Sequence, residues 1–235
     1  MNFNYAEYSN IGGRDENQDS SIVLQKENVL MVVADGLGGY QGGQIASEQV
    51  IETMFAHFMD DQTPFLCAKA ILMANRDIIS KQQGNIRNMK STVAAVYISE
   101  KGIECIHVGD TRIYLFGKDF IIYQSVDHSV SYMAVLTGEI TVEQIRYHED
   151  RNRLTKSLGS DPNVKMTRQL FNDNNIEAGL ICSDGFWEYV LEEEMINCYK
   201  KSSSPQEWLN KMREIHATRV NGEHDNNTAI TFTLY

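Results

Sequence analysis

The sequence predicts an α+β fold in which helices cover antiparallel β-sheet. Four short strand-like runs crowd between residues 91 and 125, joined by turns far shorter than the dozen residues a parallel crossover needs. Stretches with helical spacing lie on either side of that block, at about 44–78 and again beyond 204. Strands and helices therefore come in groups and do not alternate one by one.

Residues 20–24 and 29–34 read as two strands around a turn at Lys26-Glu27-Asn28. The second, Val29-Leu30-Met31-Val32-Val33-Ala34, is apolar throughout, as a strand buried on both faces should be. It ends at Asp35, and a glycine-rich loop over 36–43 leads to a helix expected at 44–59, with Ile45, Val50, Met54 and Phe58 inward. A second helix is expected from Thr63-Pro64, with Thr63 as N-cap, Pro64 at the first position and Leu66, Ala70, Ile71, Ala74 and Ile78 buried. Strands follow at 92–98, 103–108, 112–116 and 120–124, with turns at Glu100-Lys101-Gly102, Gly109-Asp110 and Gly117-Lys118-Asp119. Links this short predict that successive strands pair antiparallel.

Residues 129–157 are more polar and helical in parts. An apolar strand at 179–182 ends at Ser183-Asp184-Gly185. The last helix opens with a capping box, Ser204-Pro205-Gln206-Glu207, and buries Trp208, Met212 and Ile215. An alternating strand at 228–234 closes the chain. With no internal repeat and no linker, residues 1–235 read as one domain.

Hydrophobic residues make up 42% of the chain and charged residues 23%, which is ordinary for a globular protein that needs no disulfides. The four cysteines show no CxxC spacing and read as buried thiols in a reducing compartment, so the cytoplasm is expected. The longest apolar run, 29–34, is far short of the roughly 20 residues of a membrane helix. The opening MNFNYAEYSN lacks the character of a signal peptide. A net charge of −11 argues against nucleic acid and anionic membranes as partners. The same charge is awkward for an enzyme that handles phosphate, unless bound cations reverse its sign locally.

Three apolar strands end alike, at Asp35-Gly36, Gly109-Asp110 and Asp184-Gly185. Asp225 stands just before the final strand and Asp19 just before the first clear one. Any one of them has a bland explanation as a turn or capping residue. Four carboxylates converging at 5 to 6 Å are another matter. At an effective dielectric of about 20 each pair repels by roughly 3 kcal/mol, so six pairs cost roughly 18 kcal/mol, more than a typical domain's stability. Convergence requires protons or cations, and an all-oxygen ligand set suits Mg²⁺ or Mn²⁺ and not zinc. His107 is read as a strand residue pointing away from such a site. The glycine loop is not a Walker loop, but Gly36 could bring a backbone carbonyl to a cation.

The order of motifs resembles the metal-dependent protein phosphatases of the PPM type, also called protein phosphatase 2C, in their bacterial form. Arg14-Asp15-Glu16-Asn17-Gln18-Asp19 is similar to the opening motif and Asp35-Gly36-Leu37-Gly38-Gly39 to the DGxGG motif. Ser91-Thr92-Val93-Ala94, Gly109-Asp110-Thr111-Arg112, Asp127-His128-Ser129, the run 153–159, Ser183-Asp184-Gly185 and Asp225-Asn226-Asn227-Thr228 complete the series. The resemblance implies an α-β-β-α sandwich of two mainly antiparallel sheets, with a flap inserted at about 128–152. It implies two to three Mn²⁺ or Mg²⁺ ions. Asp35 would bridge two of them, with the Gly36 carbonyl on one; Asp184 and Asp225 would complete that site. Asp110, with Asp184, would hold a weaker third ion, Asp19 would bond metal-bound water, and Arg14 would clamp the substrate phosphate. The reaction implied is in-line attack of a metal-bridging hydroxide on phosphoserine or phosphothreonine in proteins. The implied partners are phosphoproteins, including those of a partner kinase, and a monomer is expected.

One position departs from the family's eukaryotic pattern. A histidine thought to protonate the leaving group is replaced here by Leu37, and His128 stays outside the catalytic set. A phosphatase with a nucleophilic aspartate would want Asp-x-Asp after a strand, which Asp35-Gly36-Leu37 does not supply. A binding module that had lost its activity would not be expected to keep every acidic residue of the set.

Overall fold

The computed structural model describes residues 3–38, 41–82 and 88–234. In chain order its strands are β1 (Phe3–Asn10), β2 (Asp19–Gln25), β3 (Val29–Leu37), β4 (Lys90–Ser91), β5 (Val93–Ser99), β6 (Gly102–Val108), β7 (Arg112–Phe116), β8 (Ile121–Gln124), β9 (Thr167–Phe171), β10 (Ala178–Cys182) and β11 (Asn227–Leu234). Its helices are α1 (Gly42–Met59), α2 (Cys67–Lys81), α3 (Val130–Leu136), α4 (Asp184–Trp187), α5 (Glu192–Lys200) and α6 (Pro205–Arg219), with a 3-10 turn at Glu143–Tyr147.

One sheet has the order β1-β11-β10-β7-β8 and the other β2-β3-β5-β6-β9, with β4 paired to β3. All these pairings are antiparallel. Period-two alternation on β3 explains the layering. Leu30, Val32 and Ala34 pack against Val50, Met54, Ile71 and Ile78 of α1 and α2. Met31 and Val33 face the other way and meet Ile113, Ile181, Ile230 and Phe232 of the second sheet. The far face of that sheet, with Tyr114, Phe116 and Leu180, is covered by Met195, Trp208, Leu209 and Met212. The layers are thus helix, sheet, sheet, helix, as expected. Each fully buried side chain of this size contributes about 1.5–3 kcal/mol by leaving water.

Several local expectations are corrected. β3 does not stop at Asp35 but runs to Leu37, because the Gly36 N–H donates to Gln18 O at 3.0 Å and Gly36-Leu37 pair with Ser91-Lys90. Gly39 and Tyr40 of the predicted glycine loop lie outside the described residues. α2 starts at Cys67, not at Thr63-Pro64, and Leu66 precedes it with 61% exposure. The Thr63 hydroxyl instead donates to Asp60 Oδ2 at 2.9 Å, closing the preceding turn. In α6 it is His216, and not the half-buried Ile215, that completes the inward face. β11 is buried on both faces, with the Thr231 hydroxyl donating to Pro205 O at 2.9 Å. β1, β4, β9, α4 and α5 were not anticipated. Finally, β6 and β7 are joined only by Gly109-Asp110-Thr111, yet they do not pair: the chain crosses from one sheet to the other there.

Candidate active site

Antiparallel register gathers the acidic residues at one end of the sandwich. Asp19, opening β2, lies directly opposite Asp35, near the end of β3. Asp110 occupies the sheet crossing, and Asp184 follows β10 as the first residue of α4. Asp225 comes two residues before β11, whose Thr228 O accepts from the Ser183 N–H at 3.0 Å. Hydroxyl groups join the pieces. The Asp35 N–H donates to Thr92 Oγ1 at 2.9 Å, and that oxygen lies 2.6 Å from Thr111 Oγ1, next to Asp110.

Arg14, Asp35, Gly36, Asp110, Asp184 and Asp225 all line one cavity of about 420 Å³, with Asp15, Glu16, Gln18, Asn152 and Leu154 among its other walls. Asp19 sits beneath them, buried: its Oδ2 accepts from Ser183 Oγ at 2.7 Å and its Oδ1 has no partner among the described residues. Gly36 packs so tightly that a Cβ there would collide with the Gly43 carbonyl, so only glycine lets α1 approach β3.

The electrostatics are those of acids held too close together. Burial pushes Asp35 well above the usual carboxylate range, and Asp184, Asp19, Asp110 and Asp225 push it further. Burial does the same to Asp184, followed by the charges of Asp110, Glu188, Asp225 and Asp19. Asp110 is raised to about 7 by burial and then by Asp127, and Asp19 to about 6 by burial, against hydrogen bonds from Ser183 and Thr228.

Carboxylates around one cavity and an orphaned buried oxygen on Asp19 fit a hard cation. They do not form a finished cage: among the described residues no three acidic, histidine or cysteine side chains stand close enough to be one. Asp225 is turned toward Arg14, whose Nε and Nη2 donate to its two oxygens at 3.0 and 2.9 Å.

The chain matches the protein phosphatase 2C family over residues 7–220. It belongs to that family. A curated relative, the serine/threonine phosphatase stp of Listeria innocua, is 27% identical over 92% of this chain and 90% of its own. The serine/threonine phosphatase Stp1 of Staphylococcus aureus superposes with a TM-score of 0.88 at 25% identity, covering 100% of this chain and 96% of that one. The catalytic domain of the phosphatase PstP, solved with two manganese ions, has a TM-score of 0.80 at 24% identity and shares the fold over 98% of this chain and 97% of its own. The protein is a metal-dependent protein phosphatase, and its two-sheet sandwich is the fold of these structures.

Two positions that a phosphatase reading has to place are settled by their contacts. His107 points away from the cleft; its Nε2 donates to Val126 O at 2.8 Å and its ring stacks on His128 at 4.8 Å. The His128 Nδ1 accepts from the Gly109 N–H at 3.1 Å, and burial, with His107 and Lys156, pushes its pKa down to about 3. A neutral ring committed in this way is no proton donor at neutral pH.

Sequence reasoning missed Glu188. It lies four residues after Asp184, one helical turn on, and it raises both Asp184 and Asp110 while accepting from Arg151 Nε at 2.8 Å. The i,i+4 spacing was the available signal, but it needed a helix at 184–187 that the short run Gly185-Phe186-Trp187 did not announce. Asn152 and Leu154 close the cleft from the segment after α3; the sequence placed them only at the end of the flap and in the 153–159 run, with no role for either.

Proposed function

We propose that this serine/threonine protein phosphatase hydrolyses phosphoserine and phosphothreonine of proteins in the aspartate cleft, with two or three Mn²⁺ or Mg²⁺ ions held there. The observation that carries the assignment is the cavity in which one half-exposed arginine and four strand-end aspartates meet. Asp35, Asp184 and Asp225 with the Gly36 carbonyl are the proposed ligands of the main site, and Asp110 with Asp184, aided by Glu188, those of a weaker one. Bound cations supply an activated water at neutral pH and offset charge on the phosphoryl oxygens.

The protein's own groups do the rest. Arg14 offers a planar fork of donors suited to two oxygens of a phosphoryl group, and it must leave Asp225 to do so. Asp19 is placed to accept a hydrogen bond from a water in the cleft through its orphaned Oδ1. Leu37 lines the cleft at the position where an imidazole would otherwise serve as acid, so the leaving alkoxide takes its proton from water in the cleft.

Residues 1–235 act as one catalytic unit in this reading, as a monomer, on phosphoproteins that include a kinase's targets. No helix among the described residues is long and apolar enough to cross a membrane, and the four cysteines are buried and free, which agrees with a cytoplasmic place. The test is hydrolysis of a phosphothreonine peptide with manganese and with chelator. Turnover that is indifferent to chelator sinks the assignment.

A further inference from the structure

Away from the cavity, a buried charged network joins the segment between β8 and β9 to the Asp110 turn. The Trp187 Nε1–H donates to the carbonyl of Asp110 at 3.0 Å. The Arg112 guanidinium lies 3.4 Å from the centre of the same indole, and Arg146, from the 3-10 turn, lies 5.3 Å from it. Arg112 is held by Asp127 at 2.9 and 2.6 Å. One carboxylate, Glu192 at the start of α5, then ties the two arginines together. Its Oε2 accepts from Arg146 Nη2 at 2.6 Å, and its Oε1 accepts from Tyr114 OH at 3.1 Å and from Arg112 Nη1 at 3.4 Å.

The other side of the turn is held from the same segment. The His128 N–H donates to Gly109 O at 2.9 Å, while its ring accepts from the Gly109 N–H. The Gly109-Asp110 turn is therefore gripped by residues that also anchor the 126–154 segment. That segment supplies Asn152 and Leu154 to the cleft and exposes Met133, Leu136 and Tyr147. Two buried guanidinium groups cannot stay beside one indole without shared anionic partners. Arg146 forms its one ion pair among the described residues with Glu192, while Glu188 and Glu194 feel its charge from farther off, and its Nη1 has no hydrogen-bond partner there.

We infer that Glu192 is a positioning residue that sets the seat of the 126–154 segment and the Asp110 turn together, through Arg146, Arg112 and Trp187. It touches neither substrate nor cation. Its loss frees Arg146, so the segment no longer presents Asn152 and Leu154 squarely to the cleft. A phosphopeptide, which must lie against that segment, loses more than a small aryl phosphate, which fills only the cavity. This rests on the phosphatase reading above.

The experiment compares Glu192→Gln with Glu193→Gln, which removes the same charge from the same helix start and has no side-chain hydrogen bond among the described residues. The expected result is a roughly tenfold rise in KM for a phosphothreonine peptide in Glu192→Gln, with kcat and the KM for para-nitrophenyl phosphate within threefold of wild type and Glu193→Gln unchanged. Calorimetric titration with Mn²⁺ should show the weaker uptake step loosened several-fold in Glu192→Gln alone. Arg146→Lys, which keeps the charge and loses the fork, asks the same question from the segment's side should the first variant misfold. Equal loss on both substrates, the same loss in Glu193→Gln, or no change in either variant overturns the inference. Wild-type protein that hydrolyses neither substrate with manganese overturns the phosphatase reading instead.

Discussion

Arg14 and Asp225 form a two-point ion pair, Nε to Oδ1 at 3.0 Å and Nη2 to Oδ2 at 2.9 Å, although each is assigned to a different ligand. Their side chains are 54% and 40% exposed, so the pair is worth only about 0–1 kcal/mol and is easily exchanged. In the proposed assignment a cation would take Asp225 and a dianionic phosphoryl group would take the released fork, which would link metal and phosphate binding through one arginine.

Arg14→Ala is therefore expected to lower kcat/KM on a phosphopeptide by about 100-fold, the usual loss when one positioned donor to the reacting group is removed. Manganese uptake should be equal or tighter, because the competitor for Asp225 has gone. Steady-state kinetics together with calorimetry check both halves. A variant that binds manganese more weakly contradicts the exchange.

Asp35→Asn should separate stability from function. In the cleft it removes a carboxylate opposed by four others, so turnover with manganese should fall at least 1,000-fold, roughly 4 kcal/mol of barrier. In chelator the same change relieves repulsion, and the melting temperature should rise by about 2–4 °C for each kcal/mol relieved. Calorimetric melting with EDTA and a rate assay with Mn²⁺ read the two effects. Wild-type turnover in this variant ends the case for Asp35 as a ligand.

How much of this was readable in the sequence depends on burial and distance along the chain. β3, β5, β6, β7 and β10 showed themselves because most positions are apolar, and the aspartates that end or follow β3, β6 and β10 stood out for that reason. β1 and β9 did not: β1 buries only Ala6 and β9 no residue fully, and neither carries the apolar run (Ile22-Val23-Leu24, Ile121-Ile122-Tyr123) that made the other two edge strands, β2 and β8, legible. The crossing at Gly109-Asp110-Thr111 has the length of a hairpin loop, and length alone does not say that the next strand changes sheet. The Arg112–Glu192 and Arg146–Glu192 contacts join residues 80 and 46 positions apart, which no local pattern encodes.

Stability without metal should depend on pH in an uncommon sense. Asp19 and Asp110 have folded-state pKa values of about 6 and 7, and Asp35 and Asp184 are also raised, whereas an unfolded aspartate titrates near 3.9. Between about pH 4 and 7 the folded chain holds protons that the unfolded chain has released. Stability from these groups is full below the unfolded value and is lost as pH rises through the folded ones. Melting in chelator should therefore shift downward from about pH 6.5 to pH 8, above the range in which the buried His107, His128 and His216, all depressed by burial, pull the other way. Saturating manganese should abolish or reverse the trend. A flat chelator profile argues that the four carboxylates do not oppose one another.

Gly109→Ala tests the sheet crossing itself. Gly109 has φ +105°, a conformation that side-chain-bearing residues rarely adopt, and a Cβ there would lie 2.6 Å from Thr92 Cγ2. Thr92 also holds the Asp35 N–H through its hydroxyl, so the added methyl presses on both Asp110 and Asp35. A loss of about 1–3 kcal/mol in stability is expected from strain and overpacking, with a fall in turnover larger than the melting shift explains. Adding Thr92→Ser removes the clashing methyl and keeps the hydroxyl on Asp35. The double variant should regain only the part of the loss due to that methyl, because the Thr92 Cβ at 2.7 Å and the backbone strain both remain. If Thr92→Ser recovers neither stability nor rate, the Thr92 methyl is not what makes glycine necessary there.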